Sequence, residues 1–376
     1  MIKVSSNFDS GSIEVLSIDQ EGDIKLNLRT DTNSDIMQWF HFRVSGALDI
    51  DCSFSIENAG ISAYPEGWEN YEVVASYDKQ EWFRIPTTFE EGVLSFEHTP
   101  MQNSIFFAYF TPYSYERHQE LVHDAQLSYL CNLEVIGETY QGRDIDMLVI
   151  GEEADDKKNV WIVARQHPGE SMAEWFVEGL VHRLLDENDA VSRKLLQKAC
   201  FYIVPNANID GSIAGNLRVN AAGRNLNREW AAPDPQNSPE VYHILNQMIE
   251  KGVDLSLDVH GDEALPYVFV SGTEGVPTYS ERVKMLENEF KRSWMEASPD
   301  FQDEHHYPLN AAGTGNLAIG CKQIGERFQC LSYTIEMPFK DNANLPDEVY
   351  GWSGDRALLL GESVLTPILA VIDKLR

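Results

Sequence analysis

Two short apolar runs, Ile162-Val163-Ala164 and Leu255-Ser256-Leu257-Asp258-Val259, each end within a few residues on a histidine. No other feature of the 376-residue chain constrains its fold as tightly. The first runs into Arg165-Gln166-His167-Pro168-Gly169-Glu170, after which helical periodicity starts at about Ser171 with Trp175, Phe176, Leu180, Leu184 and Leu185 on one side. A β-branched run closed by Gln-His-Pro-Gly reads as a buried strand and its exit turn. The second runs straight into His260-Gly261-Asp262. Strands that each deliver a polar residue at the carboxyl end are what an open α/β sheet provides, because its sites lie beyond those ends.

His167 and Glu170, three residues apart on a strand-to-helix turn, can converge on one ion. Such pairs also occur by chance, and what raises this one is His260, which completes the set of two histidines and one glutamate common in catalytic zinc sites. Zinc suits two imidazoles, a carboxylate and an open fourth position, and it hydrolyses without redox chemistry. Glu263 stands three residues after His260 and is a rival carboxylate, set back by its place on an expected loop.

The rest of the chain frames this centre. Residues 1 to about 112 alternate in a strand-like way, as in Ile24-Lys25-Leu26-Asn27-Leu28 and Trp39-Phe40-His41-Phe42-Arg43-Val44, with turn signals at Glu21-Gly22-Asp23, Pro65-Glu66-Gly67 and Glu91-Gly92. This predicts an antiparallel β-sandwich over residues 1–115 with no catalytic cluster, its tryptophans Trp39, Trp68 and Trp82 serving as core and rim. Residues 116–376 then form a second domain, opened by a helix that includes Leu121 and Leu127. A hairpin with Gly142 at its turn follows, and then strands near 159–165, 200–205, 254–259 and 331–337 alternate with helices near 172–186, 191–198, 238–250 and 278–296. That alternation predicts a mixed, mainly parallel sheet covered by helices on both faces, with a last helix at about 354–374. A formal net charge of -31 argues against nucleic acid or an anionic membrane surface as partner. The start lacks an apolar core of signal-peptide length, no run is long enough to span a bilayer, and five cysteines lack metal-knuckle spacing, so a reduced cytoplasmic chain is expected.

Between and after the candidate ligands stand Asn208-Ile209-Asp210-Gly211, Gly215-Asn216-Leu217-Arg218, Asn225-Leu226-Asn227-Arg228-Glu229-Trp230 and Tyr333-Thr334-Ile335-Glu336. With His167-Pro168-Gly169-Glu170 and Asp258-Val259-His260-Gly261, these six pieces lie in the order found in the zinc metallocarboxypeptidases, and over residues 125 to 376 the chain resembles their cytosolic carboxypeptidase branch. The stretch before it resembles that branch's amino-terminal β-domain.

The resemblance implies roles. Zinc would be held by His167, Glu170 and His260; Glu336 would be the base that takes a proton from water and passes it to the leaving amine. Asn227 and Arg228 would clamp the free α-carboxylate of a peptide or protein tail, and Arg218 would polarise the scissile carbonyl. One departure is Asn225, where the family usually has an Asp that accepts from a ligand histidine; the amide can still accept, without the charge. Tyr307 is a weak candidate for the family's mobile tyrosine. Several members of the branch remove glutamates from acidic tails, which in so acidic a chain requires a local cation, and Lys322 and Arg327, in the loop expected before Tyr333, are the nearest. Two other functions share these residues: a zinc amidohydrolase acting on a small acylated amino acid, and an inactive peptide-binding protein.

Overall fold

The turn signals of the amino-terminal third divide it into ten short strands, and the computed structural model, which describes residues 1–376, folds them into two five-stranded sheets. In chain order these are β1 (Lys3–Ser5), β2 (Glu14–Ile18), β3 (Asp23–Asn27), β4 (His41–Ser45), β5 (Cys52–Ile56), β6 (Val73–Ser76), β7 (Phe83–Ile85), β8 (Thr87–Glu90), β9 (Val93–His98) and β10 (Ser104–Ala108). One sheet runs β1-β4-β10-β6-β7 and is antiparallel throughout; the other runs β2-β3-β5-β9-β8. The sandwich departs from a purely antiparallel one at β3 and β5, which pair in parallel. The chain leaves β3, crosses to the opposite sheet as β4 and returns as β5, and that crossover supplies the length a parallel pair needs. Phe54 of one sheet packs between Phe42 and Phe107 of the other, at ring-centroid distances of 6.2 and 4.9 Å.

The second unit begins with α1 (Tyr115–Ala125), β11 (Cys131–Glu138), β12 (Asp144–Ile150), β13 (Lys158–Ala164), α2 (Met172–Leu184), α3 (Ala190–Leu196), β14 (Ala199–Val204) and α4 (Ile209–Ala214). It continues with α5 (Pro239–Lys251), β15 (Leu255–Asp262), β16 (Phe269–Ser271), α6 (Glu281–Ala297), α7 (Gly320–Phe328), β17 (Leu331–Pro338), α8 (Gly354–Ser363) and α9 (Leu365–Val371). Its sheet has the order β11-β12-β14-β13-β15-β17-β16, parallel across the four central strands and antiparallel at both edges. The central strands are apolar on both faces because both are covered. Ile162, Leu257 and Ile335 share a core with α2, α6, α8 and α9, while Trp161 and Val163 share another with α5 and α7. Helices α2 and α8 approach so closely that a Cβ on Gly361 would lie 1.8 Å from the carbonyl oxygen of Phe176.

Three local readings need correction. The expected last helix is divided at Val364, one turn before Pro367, whose missing N–H and ring exclude a continuous helix through residue 363. Leu127 lies beyond α1 and is exposed. Lys322 and Arg327 sit on a helix, α7, and not on a loop. The sandwich is fixed to the second unit just past the end of β17. There the buried Arg84 guanidinium donates to the carbonyls of Phe339 and Trp352, both at 2.9 Å, and Tyr109 stacks on Phe339. No helix is long and apolar enough to cross a membrane.

Candidate active site

Strands β13 and β15 are parallel neighbours, with Ala164 opposite Val259, so their carboxyl ends bring His167 and His260 side by side. A tight turn, in which the Glu170 amide donates to the His167 carbonyl, folds Glu170 back toward both. Its Oε1 lies 2.6 Å from His167 Nδ1 and its Oε2 2.8 Å from His260 Nδ1, while the two Nδ1 atoms are 3.2 Å apart. All three side chains are buried.

The far ring nitrogens decide what those Nδ1 atoms can do. Nε2 of His167 faces Asn225 Oδ1 at 3.0 Å, and Nε2 of His260 faces Asp258 Oδ1 at 2.9 Å, nearer than the Asn227 Nδ2 donor at 3.4 Å; both oxygens only accept. Each Nε2 therefore keeps a proton, which leaves Nδ1 as the atom of each ring that can offer a lone pair to a cation beside the carboxylate. Three acceptors converging on one point in a buried place are a donor set for a cation, and two imidazoles with a carboxylate fit zinc. Burial, reinforced by Arg218, pushes His167 down to about 4, while Asp258 and Glu170 outweigh burial and hold His260 well above the usual imidazole range, so a cation taken here displaces a proton from His260 Nδ1. Burial opposes the charge on Glu170, but the two histidines prevail and keep its carboxyl low.

These groups form the floor of a cavity of about 660 Å³, and Glu336, Arg218, Asn227, Arg228 and Lys322 all line it. Glu336 is opposite His260 in the β15–β17 register, and one of its carboxylate oxygens has no hydrogen-bond partner. Burial raises its pKa well above the carboxylate range; Glu170, Asp262 and Glu263 add to this against the pull of His260. Such a group holds a proton readily, which a general base must do after it has taken one.

Residues 122–353 match the zinc carboxypeptidase family, and residues 4–110 match the cytosolic carboxypeptidase N-terminal domain. The chain belongs to the zinc carboxypeptidase family. It is accordingly a hydrolase of the metallocarboxypeptidase type. Among solved structures, the metallo-carboxypeptidase of Burkholderia cenocepacia is 48% identical with a TM-score of 0.97, each chain covered in full. That of Pseudomonas aeruginosa, in complex with (2-guanidinoethylmercapto)succinic acid, is 44% identical with a TM-score of 0.97, again with both chains covered in full. Cytosolic carboxypeptidase 6 of Caenorhabditis elegans is 26% identical over 376 residues, covering 89% of this chain and 78% of its own.

The remaining residues of this zinc carboxypeptidase fall as follows. Arg228 is exposed at the cavity, donating only to the Asn227 carbonyl, and Asn227 is anchored by accepting from the Gly320 amide at 2.8 Å. Arg218 is half-buried, with its guanidinium 5.3 Å from the Tyr64 ring. Lys322 is buried, its Nζ donating to the carbonyls of Gly272 and Glu274 at 3.0 and 3.2 Å, while Arg327 points to solvent away from the cavity. Glu263 lines the cavity but stands outside the converging ligand atoms; burial and then Glu170 push it up to about 8. Tyr307 is on the wall, with its hydroxyl bonded to Asp262.

Two contributions were missed in the sequence. Asp258 orients His260 and is itself held by Gln166 Nε2 at 2.7 Å, whose Oε1 accepts from Trp230 Nε1. The period of two along β15 puts Asp258 and His260 on one face, a signal that could have found this pair. Tyr64 and Glu66 of the sandwich also line the cavity, so that domain is not merely an appendage.

Proposed function

We propose that the chain is a cytoplasmic zinc carboxypeptidase that removes a terminal residue with an acidic side chain from peptide or protein tails. The observation that carries the acidic preference is Lys322. Its ammonium is buried in the cavity wall, bonded only to backbone carbonyls and paired with no carboxylate, so a departing carboxylate side chain can complete its hydrogen bonding. Arg228, beside Asn227, supplies the clamp for the free α-carboxylate. The compound bound to the Pseudomonas enzyme bears two carboxylates and a guanidine, so it fits a carboxylate clamp while leaving the charge of the departing side chain to Lys322 and the acidic wall of Asp262 and Glu263. Relatives named cytosolic and five free cysteines support the cytoplasmic placement.

The residues divide the work. Zinc, when held by His167, Glu170 and His260, would supply Lewis acidity for water and the scissile carbonyl. Arg218 offers its guanidinium to the developing oxyanion, which stabilises the transition state more than the ground state. Glu336 takes the proton of the attacking water and delivers it to the departing nitrogen.

The test is a panel of peptides differing only in the last residue, ending in Glu, Leu or Arg, each as free acid and as amide. Glu-ending free acids should be cleaved best, amides should resist, and Lys322→Ala should narrow the Glu-to-Leu ratio by roughly 10-fold or more. Equal cleavage of Leu-ending peptides rejects the acidic preference. Preference for Arg-ending peptides would instead assign the wall formed by Asp262 and Glu263 to the departing side chain. Cleavage of amides as readily as acids would reject the exopeptidase reading.

A further inference from the structure

The loop that carries Arg218 belongs to the catalytic unit, but what holds it belongs to the sandwich. Asp31 lies in the turn region between β3 and β4 and is 4% exposed. Its Oδ1 accepts from the Leu217 amide at 2.6 Å, and its Oδ2 accepts from the amides of Arg218 at 2.7 Å and Val219 at 3.1 Å. Three successive backbone N–H groups aimed at one carboxylate form an anion-binding nest, and the bound carboxylate fixes the dihedrals of the residues that supply them. The neighbours of Asp31 act on either side of that nest. Thr32 donates from its amide and its hydroxyl to Asn216 Oδ1, at 3.0 and 3.1 Å, and Asn33 Nδ2 donates to the Ala221 carbonyl at 2.9 Å. Gly223 has φ +79°, and a Cβ there would lie 2.4 Å from the Asn33 carbonyl oxygen, so the loop and the turn fit without a side chain between them.

We propose that Asp31 is a positioning residue for catalysis: the amino-terminal domain takes part in the reaction by fixing the backbone from which Arg218 reaches the scissile carbonyl. The proposal rests on the role given to Arg218 above. Asp31 touches neither substrate nor reacting atoms. It acts through the loop, and Tyr64 of the same domain adds a second constraint by facing the guanidinium.

A mere tie between domains would also weaken the protein when cut, so the test reads the coupling to Arg218. Asp31→Asn keeps the shape but places an amide NH2 against backbone donors. It should lower kcat by roughly 10- to 100-fold, leave KM within about 3-fold, and leave zinc content unchanged, because an oxyanion contact is lost and ground-state binding is not. The decisive measurement is the double-mutant cycle: on an Arg218→Ala background the same change should have no further effect on kcat. If Asp31→Asn does not fold, Thr32→Val, which removes only the hydroxyl donor to Asn216, takes its place, with a smaller loss of roughly 2- to 5-fold that must also vanish on the Arg218→Ala background. Multiplicative losses in the cycle would overturn the positioning role while leaving Arg218 in place. A kcat unaffected by Arg218→Ala would overturn both.

Discussion

Glu174 follows Glu170 by four residues and lies in a second buried cluster of the same residue types, yet the two clusters are finished differently. Glu174 accepts from His118 Nδ1 at 2.6 Å, from Arg165 at 2.6 Å and from Asn206 at 3.0 Å. Arg165 also donates to the carbonyls of Tyr113 and Pro168, and it does so from a left-handed backbone, φ +57°, that a non-glycine residue adopts only under constraint. The protein thus supplies this cluster with its own cation. The cluster of His167, Glu170 and His260 receives none within bonding distance, and around it one oxygen each of Asp258, Glu263 and Glu336 has no partner. Buried polar atoms are normally paired; the structural cluster leaves only His118 Nε2 without a hydrogen bond, 3.7 Å from Asp146 Oδ2, whereas the candidate reactive cluster is ringed by unpaired carboxylate oxygens. The two thus differ in which atoms are left without a partner and not in the residues used.

The largest expected effect breaks the reactive cluster. His167→Ala and His260→Ala should each abolish stoichiometric zinc and activity, as metal analysis of the purified variants will read. Glu336→Gln should keep the zinc and lose roughly 10²- to 10⁴-fold in kcat. Full zinc retained by both histidine variants would remove the basis of the comparison. Next in size is the structural cluster. Glu174→Gln leaves the Arg165 charge buried without a counter-charge and should destabilise the fold by about 3–5 kcal/mol in denaturant unfolding. A loss under 1 kcal/mol would mean that the arginine is held by the backbone carbonyls alone.

The two clusters were unequally legible. His167, Glu170 and His260 could be read because short motifs at strand ends carry them, and the parallel register does the rest. Glu174 and Arg165 could not, because their partners, His118 in α1 and Tyr113 just before it, lie some 50 residues away, with no motif to announce the contact. The same holds for Asp31. Its partners are backbone amides, which leave no mark on the sequence beyond the spacing of one loop. Position alone marks Lys322 in the sequence, and the helix that buries it leaves little signal there: Gly320 and Gly325 lower helix propensity, whereas tertiary packing against β17 and β15 decides the outcome. The alternation of the longer strands and helices, by contrast, follows from local pattern and is readable to within about three residues, while the short β16, α4 and α7 leave too little pattern to read and Pro367 divides the last helix.

The smallest effect sharpens the comparison through pH. Burial alone would lower the His118 pKa, but Glu174 and Asp146 outweigh it and raise it from 6.5 to about 9. A group whose pKa is raised by folding contributes stability that is complete below its unfolded value and fades as pH rises through its folded value. The window is therefore pH 6.5 to 9, with the fold less stable at the upper end by up to about 2–3 kcal/mol from this group. His118→Gln can still donate to Glu174 without carrying a charge, so its unfolding free energy should be flatter over that window than that of the native chain. If the two slopes coincide, His118 is neutral in the folded state, and Arg165 alone is the cation that closes the structural cluster.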